Sequence, residues 1–287
     1  MKALVLSGGG AKGCFQAAAL RYIMGELKIS YDILTGISVG AINSSFLSMF
    51  SKEQNDEAIN KLLDFWMNLD NHQVYKKWFP FRELHALWLS SLYNSDPLID
   101  LIKSKIDLNK IRSSGKQIAV GAVSLTTGKY KTFTQNDDNF VDGILASSSF
   151  PAGLKPIKIN NELYTDGGVK HITALNEAIQ MGADEIDIIL CSPEIPSATY
   201  NENSNALKLA LRAIDLMTDE IIDSDLKILL MYNKIVALDP NCGKRIIKIN
   251  IIRPDIDLTD DSLDFSPDKI KEMMDIGYQM AKSKYIL

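Results

Sequence analysis

Two short apolar runs near the start of the chain each break on a cluster of glycines. Ala3-Leu4-Val5-Leu6 runs through Ser7 into Gly8-Gly9-Gly10-Ala11-Lys12-Gly13, and Asp32-Ile33-Leu34-Thr35 runs into Gly36-Ile37-Ser38-Val39-Gly40. Runs of this length suit buried strands of a parallel sheet. Each cluster is followed by apolar residues at helical spacing: Ala17, Ala18, Leu20, Ile23, Met24 and Leu27 in residues 14–27, and a second face in residues 39–49. A chain that repeats the strand, glycine turn, helix order is held to an α/β architecture, with bare backbone amides presented at the ends of its strands.

The first cluster is built to receive an anion, and three readings compete for it. A phosphate-binding loop needs Ser or Thr after its lysine, and here Gly13 follows Lys12. A dinucleotide site fits Gly8, Gly10 and Gly13 as G-x-G-x-x-G, with Asp32 about twenty residues on. Asp32, however, precedes the apolar pair Ile33-Leu34, whereas a ribose-binding acid closes its strand. The third reading is an oxyanion hole, and the second cluster favours it. Ser38 stands between a strand and a helix in G-x-S-x-G, where Gly36 and Gly40 are small enough to let the two elements approach.

A serine nucleophile needs a base. Of the three histidines, His72 and His85 lie in a polar and aromatic stretch without triad spacing, and His171 is the third. Asp166-Gly167-Gly168 is the better candidate. Glu162-Leu163-Tyr164-Thr165 approaches it as a short strand, and the two glycines free the backbone to turn a carboxylate into a crowded site. Taken alone, Asp-Gly-Gly is an ordinary turn.

In order, these three motifs resemble the patatin-like phospholipases, whose pattern is G-G-G-x-[RK]-G, G-x-S-x-G and D-G-[GA]. Ala146-Ser147-Ser148-Ser149-Phe150-Pro151 is similar to the family's A-S-x-x-x-P segment, and Ile276-Gly277-Tyr278 resembles bacterial members. The resemblance implies a three-layer sandwich around a mainly parallel sheet, with Ser38 as nucleophile and Asp166 as base of a dyad. It assigns the oxyanion hole to the amides of Gly9 and Gly10, helped by Val39. It places Lys12 at the Arg-or-Lys position, bracing the loop or meeting an anionic headgroup, with Gly8, Gly13, Gly36, Gly40, Gly167 and Gly168 in support. The chain departs from the family after Asp166-Gly167-Gly168, where His171 and Ala174 stand near an expected Asn and Pro. The scheme calls for no metal and no organic cofactor.

With 287 residues, the chain is read as one acyl hydrolase domain, residues 1–287, ending in a helix over 266–287 with Ser266 as its cap and Pro267 in its first turn. A net charge of −5 speaks against a general nucleic-acid surface. Cys14, Cys191 and Cys242 are odd in number and lack metal-ligand spacing, so they are read as free thiols of a reducing compartment. The chain carries no signal-peptide pattern and no run of about eighteen apolar residues, which places it in the cytoplasm. Secretion without a cleaved signal leaves no trace in such a sequence. Strands are expected at residues 117–123, 130–133, 185–191 and 245–252, with helices at 174–181 and 204–236.

Residues 52–114 are the compositional outlier. They hold Trp66, Trp78 and Trp88, all the tryptophans of the chain, beside Phe65, Tyr75, Phe79, Phe81 and Tyr93, with Lys76, Lys77, Pro80 and Arg82 among them. Two readings stand equal: a lid making transient contact with a membrane surface, or a helical insertion packing its aromatics on the core. The substrate that the family resemblance implies is a lipid ester, of phospholipids or lysophospholipids. The alternatives are a soluble carboxylesterase or thioesterase, and a nucleotide-binding or interaction module without turnover. Sequence is silent on oligomeric state.

Overall fold

Strands apolar on both faces set the layers of this molecule. The computed structural model of the chain describes residues 1–77, 90–195, 206–239, 243 and 245–285. Along β1 (Lys2–Leu6), Leu4 and Leu6 enter one buried cluster while Ala3 and Val5 enter another. In β2 (Ile33–Gly36), Leu34 joins the first and Ile33 the second. Such strands require helices above and below them.

The first face is covered by α1 (Gly13–Leu20), which continues as a π-helical stretch over Arg21–Glu26, by α2 (Val39–Leu47) and by α3 (Asn55–Met67). Next come α4 (Asn71–Val74), the two-residue strands β3 (Lys76–Lys77) and β4 (Tyr93–Asn94), α5 (Asp96–Lys105) and α6 (Leu108–Ser113). They lead to β5 (Gln117–Ser124), β6 (Tyr130–Thr134), α7 (Phe140–Ser147), β7 (Ile157–Ile159) and β8 (Glu162–Asp166). The chain closes with α8 (Leu175–Gln180), β9 (Glu185–Ile189), α9 (Ala206–Leu238), β10 (Lys248–Ile252) and α10 (Pro267–Lys284). Leu175 and Ala178 of α8 and Ile222 and Leu229 of α9 cover the second face, and Ile270, Met273 and Ala281 of α10 return to the first. The three-layer α/β sandwich expected from the sequence is the fold observed.

Among the described residues the sheet has eight strands in the order β10-β9-β1-β2-β5-β8-β7, with β6 also paired to β5. The strands from β10 to β5 are parallel, while β6, β7 and β8 are antiparallel to their neighbours. Two features of this order position the site. β1 and β9 are neighbours whose onward connections run in opposite directions, to β2 and to β10, so the switch point where open α/β sheets bind ligands lies between their C-terminal ends. Along β5, moreover, Gly36 of β2 pairs with Val120, and Asp166 of β8 pairs with Ala122. Because β6 occupies the opposite edge of β5, β2 and β8 share one edge and meet head to head.

The far end of the sheet is tied by a carboxylate. Asp187 of β9 is 1% exposed, and it accepts hydrogen bonds from Tyr31 (2.7 Å), Tyr285 (2.7 Å) and Asn250 (3.2 Å), with Lys2 Nζ at 3.3 Å. One expected detail is corrected: Ser266 has the extended backbone of a cap, but its side chain makes no capping hydrogen bond. In the aromatic segment Trp66 is a core residue, 1% exposed and stacked on Phe265. Trp78, Phe79, Pro80, Phe81, Arg82, His85 and Trp88 lie outside the described residues, as does Cys242. Among the described residues no helix is long and apolar enough to cross a membrane.

Candidate active site

Ser38 occupies a turn that side chains rarely tolerate, with φ 55° and ψ −126°. The crossing of β2 into α2 is so tight that a Cβ on Gly36 would meet the Gly40 carbonyl oxygen at 2.2 Å, and one on Gly40 would meet that of Leu6 at 2.2 Å. This is the physical reason for the glycine spacing on either side of the serine. Two further serines fix the strained residue: Ser147 Oγ accepts from the Ser38 amide at 3.0 Å, and the Ser148 hydroxyl lies 3.2 Å from the Ser38 carbonyl oxygen. These come from the Ala146 to Pro151 segment, whose sequence carried only a resemblance and no stated role.

Asp166 ends β8 directly in front of this turn. Its amide and the Thr165 hydroxyl both donate to the Ser149 carbonyl, at 3.0 and 2.8 Å, which ties the strand end to the same serine segment. The carboxylate is 3% exposed; Oδ1 accepts from the Gly168 amide at 2.8 Å, whereas Oδ2 is buried without a closed hydrogen bond. Burial pushes its pKa up from 3.8 to about 7, opposed by the nearby Ser38 hydroxyl and the Gly168 amide. The serine thus faces the acid without being locked to it.

The glycine loop supplies the third side. Ser7 and Gly8 donate their amides to Ile189 and Ile172, so Gly8 is engaged in holding the loop. Gly9 and Gly10 then take φ values of 154° and 58°, and their amides donate to no protein group among the described residues. The amide of Val39, at the first turn of α2, is equally unengaged. The loop rests on polar side chains that sequence reading passed over: Gln16 Nε2 donates to the Ser7 carbonyl (2.8 Å), Asn43 Nδ2 to Gln16 (2.9 Å) and to the Gly13 carbonyl (3.0 Å), and Trp66 Nε1 to Asn43 (2.9 Å). Gln16 and Asn43 are wholly buried on the apolar faces of α1 and α2, and a polar residue on such a face was the available signal.

A cavity of about 150 Å³ joins these parts; Gly8, Gly9, Gly10, Lys12, Ser38, Val39, Asp166 and Gly168 line it, and Ile42, Phe65, Leu69, Leu98, Leu101 and Leu154 give it apolar walls. Lys12 reaches the cavity, and among the described residues its ammonium forms no ion pair. Gly13 packs against Val39 and Trp66, and Gly167 against the Gly121 carbonyl, so both act through close packing. His171 does not line the cavity; it is exposed, with its ring set edge-on to Tyr130 at 4.8 Å. Asp32 sits at the opposite end of β1 from the glycine loop, where it accepts from the Lys2 amide at 2.9 Å, which removes the ribose acid that a dinucleotide site needs. Cys14 and Cys191 are free and buried, and burial drives the Cys191 thiol up to about 11. Among the described residues no group of three or more His, Cys, Asp or Glu is arranged to hold a metal ion.

The patatin-like phospholipase profile matches residues 4–179, a span that contains the glycine loop, the serine turn and Asp166. The chain belongs to the patatin-like phospholipase family. It is similar to the probable lipid hydrolase 463L of Invertebrate iridescent virus 6, at 26% identity over 266 residues covering 81% of this chain and 86% of that protein. Among solved structures it is similar to VipD from Legionella pneumophila, at 15% identity and a TM-score of 0.46, covering 99% of this chain and 67% of that one. The matched span also takes in the last three residues of β1 and all of β5 to β8.

Proposed function

We propose that the chain hydrolyses the acyl ester bonds of lipids, phospholipids or lysophospholipids among them, through Ser38 and Asp166. One observation carries this reading: a buried carboxylate oxygen without a closed hydrogen bond stands before a serine held in a strained turn. Family membership and the lipid hydrolase relative support the substrate class.

An exposed aspartate, with a pKa of about 3.9, is a poor base toward a hydroxyl. Burial corrects this for Asp166, whose pKa of about 7 lets it hold and release a proton near neutrality. In the proposed sequence Ser38 Oγ bonds to the ester carbonyl carbon as its proton passes to Asp166. Negative charge gathers on the carbonyl oxygen and is met by the amides of Gly9, Gly10 and Val39, each such donor contributing on the order of 3 kcal/mol in other hydrolases. The bond to the leaving alcohol then breaks, and Asp166 returns the proton to that oxygen. Water, deprotonated in turn by Asp166, attacks the acyl-serine and releases the carboxylic acid. The apolar walls of the cavity take the acyl chain, and Lys12 meets an anionic headgroup.

The test pairs phospholipid vesicles with short p-nitrophenyl esters on the purified protein and its Ser38→Ala and Asp166→Asn variants. Turnover of vesicles that vanishes in Ser38→Ala is the expected result. Turnover surviving that change excludes the mechanism, and turnover of short esters alone favours a soluble esterase. Labelling of Ser38 by a fluorophosphonate excludes the module without turnover.

A further inference from the structure

A second, larger cleft of about 680 Å³ opens beside the candidate active site, lined by α2, α3, α5 and α6. Its floor is aromatic, with Phe46 lying 6.0 Å from Phe50 and 5.9 Å from Phe65, ring centre to ring centre. Its rim is charged. Lys61 is committed to Glu57 at 2.6 Å and lies over the Phe50 ring, while Lys105 and Lys110 are exposed and, among the described residues, form no ion pair. Asp64 is the one other acidic side chain of the lining, so a single net positive charge remains at the mouth.

We propose that this cleft binds a single-chain carboxylate amphiphile, a long-chain fatty acid anion. A site of this size falls within the roughly 300–1,000 Å³ that hold small ligands. The apolar floor with a cationic rim suits a chain that ends in one negative charge, and the lone surplus positive charge suits a monoanion. Phe65, Leu69 and Leu101 line both this cleft and the candidate active-site cavity. A bound chain therefore presses on the wall of the acyl pocket from behind. Binding itself does not depend on the proposed hydrolysis, although such a reaction releases this class of molecule.

The test titrates the full chain with a fluorescent anthroyloxy-stearate and displaces it with oleate or with oleyl alcohol. The proposal expects the acid to displace the probe at about tenfold lower concentration than the alcohol. It expects the double variant Lys105→Glu/Lys110→Glu to bind about tenfold more weakly, with short-ester turnover unchanged. It also expects Ser104→Trp, which fills the cleft from an exposed position, to abolish binding, and Val169→Trp, which narrows only the candidate active-site cavity, to spare it. Equal displacement by the alcohol, equal affinity in the double variant, or binding lost in Val169→Trp and kept in Ser104→Trp each overturns the proposal. Loss of ester turnover bears on the hydrolase reading alone, because the titration requires none.

Discussion

Two aspartates are almost equally buried in this protein and live in opposite circumstances. Asp187, 1% exposed, is surrounded by two tyrosine hydroxyls, an asparagine amide and a lysine. Asp166, 3% exposed, has one amide on one oxygen and no closed bond on the other. Burial alone therefore does not make a carboxylate reactive. What separates the two is satisfaction: the first is a fastener between the chain ends and the sheet, and the second is a stored cost, carried in the folded state at the place proposed for chemistry.

Exchanging each carboxylate for its amide puts this contrast at risk. Asp166→Asn and Ser38→Ala are each expected to lower kcat by about 10⁴-fold without unfolding the protein, measured on vesicles and short esters. Asp187→Asn is expected to cost about 3–5 kcal/mol of stability in urea, because Lys2 loses its buried partner, while activity per folded molecule is kept. The stabilities should also part with pH. Folding raises the pKa of Asp166 to about 7, so the folded chain holds that proton more tightly than the unfolded chain; this contribution is full below a pH of about 4 and gone above about 7. Asp166→Asn should therefore exceed the parent in stability at pH 8 by up to about 4 kcal/mol, an advantage that fades on acidification. The same ionisation should govern rate, with kcat/KM falling about tenfold per pH unit below about 7. Smallest is the effect of Lys12→Ala: KM for vesicles with anionic headgroups should rise about threefold at constant kcat.

Much of the candidate site was legible because the chemistry proposed for it dictates spacing. Gly36 and Gly40 cannot carry side chains where α2 crosses β1 and β2, so the elbow announces itself in five residues. Asp166 was legible only in company, since a turn of the same composition occurs wherever a chain reverses. The meeting of β2 and β8 along β5 could not be read, because register between strands more than a hundred residues apart in the chain leaves no local pattern. The Asp187 cluster was hidden for the same reason: Tyr31, Asn250 and Tyr285 each look unremarkable in their own segments. The aromatic segment was legible only as a choice of two. Its composition allowed surface and core equally, and Trp66 takes the core, spending its indole N–H on Asn43 beneath the serine turn.

The head-to-head junction makes β5 a ruler. Gly36 and Asp166 sit against Val120 and Ala122, so the gap between the serine turn and Asp166, the proposed nucleophile and base, is measured out by two residues of one strand and not by any loop. Lengthening the turn at Thr126-Thr127 should leave that gap untouched, whereas one residue inserted at Gly121 would push the two partners apart and turn every later side chain of the strand to the opposite face.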